Sequence, residues 1–108
     1  MNPLVPDRSS LVQTHLFYGR DRAVTISQVA EDMGIARRSV EAAIEQLRRD
    51  GVPICSGPDG IWLTTDAAEL YEHAERLRVR ALHILVGARA LRATARRHER
   101  VQQLELAI

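Results

Sequence analysis

Lysine is absent from this sequence, and cysteine and aromatic residues are scarce. All 15 basic residues are arginines, Cys55 is the only cysteine, and aromatic side chains make up 4% of the chain. A single cysteine excludes a disulfide framework and a metal site built from several thiolates. No apolar run approaches the roughly 20 residues that a membrane-spanning helix needs, and residues 1–10 lack the basic-then-apolar pattern of a secretory signal. We therefore expect a soluble, cytoplasmic protein with an aliphatic core and no membrane partner.

The sequence also lacks the motifs of catalysis and of cofactor binding. It contains no glycine-rich phosphate loop, its four histidines are scattered without cysteine or carboxylate at metal-ligand spacing, and no nucleophile has an adjacent base. We therefore expect a protein that is not an enzyme and needs no metal or cofactor. The net charge of +1 neither favours nor excludes a nucleic-acid partner. The exclusive use of arginine fits either a GC-rich genome or recognition of phosphate and guanine.

Capping and turn signals predict three helices in the first half of the chain. The first is expected to begin after Asp7 or Ser9 and to run to Tyr18, where Gly19 ends it. The second begins with a capping box, Thr25-Ile26-Ser27-Gln28, and ends at Gly34. The third runs from Arg37 to Asp50. Its apolar residues recur at the i, i+3, i+4, i+7 spacing of a buried helix face: Val40, Ala43, Ile44 and Leu47.

Two short β-like runs follow, residues 54–56 and 61–63. Between them Gly57-Pro58-Asp59-Gly60 is dense in turn-forming residues, which predicts a β-hairpin. Thr65 or Asp66 is then expected to cap a fourth helix, with Asp66 and Glu69 as the ends of a second capping box. No proline interrupts this helix, which we expect to reach about Arg100.

The segment TISQVAEDMGIARRSVEAAIEQLRRDGVPICSGPDGIWL, residues 25–63, resembles the winged helix-turn-helix family. The similarity extends to biotin repressor DNA-binding domains and to small winged-helix proteins of actinobacterial phages. The residues that carry it are Ala30, Gly34-Ile35, Val40, Ile44, Leu47, Gly51 and Gly60-x-Trp62-Leu63. The resemblance implies a mainly helical fold with a small hairpin, double-stranded DNA as partner, and a bacterial or phage-infected cell as its location. It also implies that the third helix enters the major groove.

Under this resemblance, the outward residues of the second and third helices and the hairpin tip contact DNA. The expected contacts are Thr25, Ser27, Gln28, Arg37, Arg38, Ser39, Glu41, Ala42, Glu45 and Arg49, with Gly57, Pro58, Asp59 and Gly60 as the wing. Arg48 is also expected on the outward side. Arginines suit guanine and phosphate, and a carboxylate can accept a hydrogen bond from cytosine. The alternative is that these charges form solvated pairs, such as Arg37 with Glu41 and Glu45 with Arg49.

Two positions depart from the family pattern. Ala36 stands where a capping side chain is usual, so the third helix begins without one. The hairpin tip carries Asp59 and no basic residue, although a wing usually brings a cation to the DNA backbone. The wing is therefore expected to contact phosphate through backbone N–H groups only, or not to touch DNA.

The fourth helix carries a heptad seam in which alanine alternates with leucine or isoleucine: Leu70, Ala74, Leu77, Ala81, Ile84, Ala88, Leu91 and Ala95. Such a seam predicts a coiled-coil homodimer; the alternative is local packing of its first half. Between Arg76 and Arg97 lie seven arginines and no acid. Four of them, Arg78, Arg89, Arg92 and Arg96, fall in one row beside the seam, a face for phosphate, an acidic partner or solvent. The predicted divisions are a tail (1–8), the winged domain (9–65), the long helix (66–100) and a second tail (101–108).

The last residues, Gln103-Leu104-Glu105-Leu106-Ala107-Ile108, resemble the short motif with which bacterial proteins bind the replication sliding clamp. The alternative is an ordinary amphipathic helix end. The function predicted first is a dimeric double-stranded DNA-binding protein, either a transcriptional regulator or a phage-type protein. The other hypothesis is a protein-interaction adaptor or replication accessory protein that recruits the sliding clamp through this tail.

Overall fold

The computed structural model describes residues 7–107, which are mostly helical with one small sheet. In chain order the elements are α1 (Arg8–Thr14), a 3₁₀ turn (Arg20–Arg22), α2 (Ile26–Met33), α3 (Arg37–Arg49), β1 (Ile54–Gly57), β2 (Gly60–Leu63) and α4 (Ala67–Ala107). The expected class is confirmed in its architecture, which is mainly helical with a small hairpin and a long C-terminal helix. Residues 1–6 of the predicted N-terminal tail and Ile108 of the tail motif lie outside the described residues.

The chain divides into two compact units, the first ending at His73 and the second beginning at Ala74. The first unit contains the hydrophobic core, in which α3 packs against α1 and α2. The main core cluster is aliphatic, as the scarcity of aromatic residues predicts, and Cys55 and Trp62 are buried as well. The core comprises Val12, Leu16, Val29, Ala30, Val40, Ala43, Ile44, Leu47, Ile54, Ile61 and Leu63.

The boundaries of α2 and α3 follow from local chemistry, as predicted. The Thr25 hydroxyl accepts from the Gln28 N–H at 3.0 Å, and the Gln28 side chain accepts from the Thr25 N–H at 2.9 Å. Gly34 ends α2 in the left-handed region with φ 66°, where a side chain would be strained. Ala36 precedes α3 and supplies no side-chain cap.

The first helix is shorter than predicted, because it ends at Thr14 rather than near Tyr18. Long-range hydrogen bonds explain the difference. The Leu63 N–H donates to the Phe17 carbonyl at 2.8 Å, and the Gly19 N–H donates to the Leu63 carbonyl at 2.9 Å. Because the chain must be extended to make these bonds, the helix cannot continue. At its start, Asp7 caps α1 through the Ser10 N–H, and this bond lowers the pKa of the Asp7 carboxyl.

The predicted hairpin is present, with Ile54 opposite Leu63 and Gly57 opposite Gly60. The outer edge of β2 is also paired. Val24 and Ile61 exchange backbone hydrogen bonds of 3.0 and 2.7 Å, so the segment before α2 lies alongside β2. The hairpin is thereby tied to the start of α2.

The start of α4 differs from the predicted second capping box. Asp66 accepts from the Ala68 N–H at 2.9 Å, but the Asp66 N–H donates to the Thr64 hydroxyl at 3.0 Å. The Glu69 carboxylate instead accepts a hydrogen bond from the indole N–H of Trp62. A buried indole N–H needs a partner, and this need decides where Glu69 points. The helix also continues past the predicted end near Arg100, to Ala107.

Within residues 7–107, none of the helices combines the length and the hydropathy that a membrane crossing requires.

Candidate nucleic-acid interface

The outward face of α3 is open along its length. Val40, Ala43, Ile44 and Leu47 are buried as predicted, and a helix turns about 100° per residue, so the remaining side chains point away from the core. Exposed on this face are Arg37, Arg38, Glu41, Ala42, Glu45 and Arg49, while Ser39 is half-buried. The expected contact residues of α3 therefore share one surface.

The charged residues of this face fall into two groups. Glu45 and Arg49 approach to 3.9 Å with both side chains 69% exposed, which is the weak, solvated pair that the alternative interpretation predicts. Arg37 and Arg38 differ, since neither makes a hydrogen bond or an ion pair within residues 7–107. The Arg37–Glu41 pair of the alternative interpretation is therefore absent from the described part of the chain. Both guanidinium groups remain available to an external acceptor.

The backbone at the start of α3 adds to this positive end. The first N–H groups of a helix have no acceptor within the helix, and Ala36 provides no side-chain oxygen for them. The carbonyl of Ala36 accepts from Ser39 and Val40, which leaves the earlier N–H groups facing outward. Helix N-termini favour anions, so this end suits a phosphate or carboxylate.

Two open grooves border the start of α3. One, of about 230 Å³, lies between Arg37, the first turn of α2 and the hairpin tip. The other, of about 420 Å³, lies between α1 and α3 and is flanked by Arg8 and Arg38. Arg8 was not expected at this surface, because its position beside α3 depends on how α1 packs against α3. The two grooves place hairpin and α1 residues on either side of the α3 arginines.

The predicted contact residues at the start of α2 do not share one role. Thr25 and Gln28 are engaged with each other in the capping box, so these side chains hold the orientation of α2. Ser27 is exposed and has no hydrogen bond within residues 7–107. Ser27 lines the groove beside Arg37. Its hydroxyl is therefore available in that groove, whereas the side chains of Thr25 and Gln28 bond to each other's backbone N–H groups.

Arg48 contradicts the expectation of an outward side chain. Its Nε donates to the Ile54 carbonyl at 3.2 Å, which fastens the end of α3 to β1. The side chain is half-buried, and this burial lowers the pKa of its guanidinium. Arg48 thus stabilises the hairpin position, whereas the neighbouring Arg49 stays on the surface.

The hairpin tip is acidic as predicted, with Pro58 and Asp59 exposed, but a cation lies close to it. The guanidinium of Arg20 lies 5.5 Å from the centroid of the Trp62 ring. Its Nη2 lies 3.8 Å from the point where a side chain on Gly57 would begin. The 3₁₀ turn therefore brings to the hairpin the basic residue that the hairpin's own sequence lacks. Sequence reasoning missed Arg20 because the two segments meet only in the folded chain.

The predicted seam on α4 is exposed in the second unit. Leu77, Ile84 and Leu91 expose 40%, 63% and 72% of their surfaces. The alanines between them are exposed too, apart from the half-buried Ala88. A row of exposed aliphatic side chains at heptad spacing lacks the burial that normally stabilises a helix.

The arginines beside the seam are mostly uncommitted. Arg78 donates to Glu75 at 2.6 and 3.0 Å, and this hydrogen bond raises the pKa of Arg78 and lowers that of Glu75. Arg89, Arg92 and Arg96 have no hydrogen bond or ion pair within residues 7–107. The middle of α4 is therefore a strongly basic surface.

Among the described residues no group of histidine, cysteine, aspartate and glutamate side chains is arranged to hold a metal ion. Comparison with protein-family models, curated proteins and solved structures finds no match for this chain.

Proposed function

We propose that residues 9–65 act as a winged helix-turn-helix domain and that the chain binds double-stranded DNA, as a transcriptional regulator or a phage-type DNA-binding protein. One observation carries the proposal. Arg37 and Arg38 stand exposed at the uncapped N-terminus of α3, and neither has a partner in the described chain. Two uncommitted arginines at a helix N-terminus suit the edges of guanine and the phosphates that border the major groove.

The remaining charges on α3 favour selectivity over affinity. Glu41 and Glu45 repel phosphate, but each carboxylate can accept a hydrogen bond from the amino group of cytosine. Ser39 can bond to a base or to a phosphate. With a net charge of +1, the chain has little general attraction for nucleic acid. Binding then depends on a few well-placed contacts.

The hairpin takes part through Arg20 rather than through its tip. Asp59 repels phosphate, whereas Arg20 lies beside Trp62 and Gly57. We place the Arg20 side of the hairpin against the DNA backbone while Arg37 enters the groove. Such contacts add affinity without reading sequence.

Two copies act together in this proposal, paired through the seam on α4. The exposed leucine and isoleucine side chains of the seam favour a partner helix. Pairing gives the protein two reading domains, so that a two-fold related pair of half-sites is the expected target. We further propose a binding role without catalysis, metal or cofactor.

The test is selection of bound fragments from a random duplex pool, followed by titration of the selected site with variants. Arg37→Ala and Arg38→Ala should each weaken specific binding by about 1–3 kcal/mol if the residue reads a base. A residue that contacts phosphate should weaken binding to all duplexes and reduce the salt dependence. Arg100→Ala is the matched control, because it removes the same charge from a residue that lies outside α3 and outside the first unit.

Two results would overturn the proposal. One is unchanged binding of the selected duplex by both variants, which would remove α3 from the interface. The other is a wild-type protein that binds no duplex at low salt. Loss of binding that Arg100→Ala reproduces would indicate a general charge effect in place of a contact at α3.

A second candidate function is recruitment of the replication sliding clamp by the C-terminal tail. Leu104 and Leu106 favour it, because they expose 67% and 88% of their surfaces. The tail is helical to Ala107. Leu104 and Leu106 are two residues apart, so they project to different sides of this helix. Deletion of residues 102–108 should abolish clamp binding and leave duplex binding intact. Clamp binding that survives the deletion would contradict this candidate.

A further inference from the structure

The seam on α4 alternates small and large side chains without exception. In the second unit the small members are Ala74, Ala81, Ala88 and Ala95, and the large members are Leu77, Ile84 and Leu91. Leu70, near the start of α4, continues the pattern and is half-buried. This alternation makes the two possible orientations of a partner helix unequal.

A parallel partner in register would place every seam residue opposite its own copy. Leucine layers would then hold the helices apart, and the alanine layers between them would leave voids. Interiors are packed at high density, and unfilled space costs stability. The parallel arrangement therefore fits this seam poorly.

An antiparallel partner matches each small residue with a large one. With the two-fold axis between Leu82 and His83, every layer of the seam combines one alanine with one leucine or isoleucine. The pairs are Leu70 with Ala95, Ala74 with Leu91, Leu77 with Ala88, and Ala81 with Ile84. All layers then have similar volume, so the helices can approach closely along their whole length.

The distribution of charge along α4 favours the same orientation. Its first turns carry Glu69, Glu72 and Glu75, whereas its later turns carry Arg89, Arg92, Arg96 and Arg97. An antiparallel partner brings the acidic first turns of one copy level with the arginine-rich later turns of the other, for example Glu69 with Arg96. Glu72 and Glu75 lie on the side of the helix away from the seam, so this attraction acts over a distance and not through contacts. A parallel partner brings the arginine-rich turns of the two copies to the same level, where their charges repel. Opposite charges across a helix pair set orientation more than strength.

We propose that two copies of this chain pair through α4 in antiparallel orientation, about a two-fold axis between Leu82 and His83. The partner is a second copy, identified by complementary volume and complementary charge along one helix. The inference rests on the dimer that forms part of the proposed function, and it adds the direction and register of the pairing.

Cross-linking with a short-spacer bis-maleimide tests the orientation. The variants Ala74→Cys and Leu91→Cys are made in a Cys55→Ala background, one of them with a size tag, and are studied singly and co-expressed. In the antiparallel pair the two cysteines of a mixed dimer are adjacent, whereas identical cysteines lie about 25 Å apart along the helix. We expect a cross-linked band of mixed size in the co-expressed sample and none from either variant alone. Circular dichroism of each variant checks that its helix content matches the parent.

The opposite pattern, with each variant cross-linking to itself, would overturn the antiparallel arrangement in favour of the parallel one. A dimer by sedimentation that gives no cross-link in any sample would overturn the proposed axis as well as the in-register parallel pair. A monomer by sedimentation would overturn both the inference and the dimer of the proposed function. Duplex binding is measured separately, so its failure would contradict DNA recognition and leave the pairing result standing.

Discussion

Arg20 is the residue whose importance the fold reveals. Its guanidinium lies over the Trp62 ring and beside the hairpin, the position from which the proposed function has it contact the DNA backbone. Arg20→Ala should weaken duplex binding and reduce its salt dependence. It should also lower the free energy of unfolding by about 0.5–1 kcal/mol, the contribution of an exposed cation–π contact.

Arg22→Ala is the control for this prediction. Arg22 belongs to the same 3₁₀ turn, and its guanidinium lies 4.8 Å from the centroid of the Phe17 ring. Arg22→Ala therefore removes the same charge and the same kind of contact as Arg20→Ala. Duplex titration and urea unfolding should give similar stabilities for the two variants but weaker DNA binding for Arg20→Ala alone. Equal effects on DNA binding would refute a special role for Arg20.

The hairpin depends on a close backbone approach at Gly60. Gly60 has φ 124°, and a Cβ at this position would collide with the Val24 backbone, which is bonded to Ile61. Gly51 also has a positive φ, 92°, but nothing lies within 4 Å of where its Cβ would be. Gly51→Ala should therefore cost about 1–2 kcal/mol of unfolding free energy from backbone strain alone, and Gly60→Ala should cost clearly more.

Urea unfolding followed by the fluorescence of the single tryptophan, Trp62, measures both variants. Both share the strain of a positive φ, so the difference between them isolates the contact of Gly60 with Val24. Equal losses would show that β2 can move away from the start of α2 without cost. The hairpin would then be less firmly placed beside α3 than the backbone bonds at Val24 indicate.

The elements differ in how far their sequence determined them. The start of α2, the end of α2 and the inward face of α3 were predicted correctly, because Thr25 with Gln28, Gly34 and the apolar spacing act within a few residues. The end of α1 was wrong, because Phe17 and Gly19 bond to Leu63, far away in the sequence. Arg48 and Glu69 were misplaced for the same reason: their acceptor and donor, Ile54 and Trp62, lie in the hairpin.

The candidate site likewise combines residues whose positions follow from nearby sequence with residues whose positions depend on tertiary contacts. The exposure of Arg37 and Arg38 could be predicted, because the apolar spacing of α3 identifies its buried face and these two arginines lie outside that face. The presence of Arg8 and Arg20 at its borders could not, because each depends on tertiary packing. Whether Arg37 pairs with Glu41 was also open, since helical spacing permits the pair but does not require it.

At the scale of the whole molecule, the proposed pairing of two copies depends on the exposed seam on α4. Ile84 and Val86 expose 63% and 64% of their surfaces, yet only Ile84 belongs to the seam, and the two project to opposite sides of the helix. Ile84→Arg places a charge inside the proposed interface and should yield monomers in sedimentation, whereas Val86→Arg should remain dimeric.

The DNA affinities of Ile84→Arg and Val86→Arg provide a second comparison of these variants. A monomer should bind a duplex with two half-sites more weakly than the dimer does, because it loses the second reading domain. Its affinity for a single half-site should be unchanged, since Arg37 and Arg38 lie in the first unit. Dimers that persist with Ile84→Arg would place the interface elsewhere. Dissociation of both variants would mean that the middle of α4 is buried on all sides, as in an assembly of more than two helices.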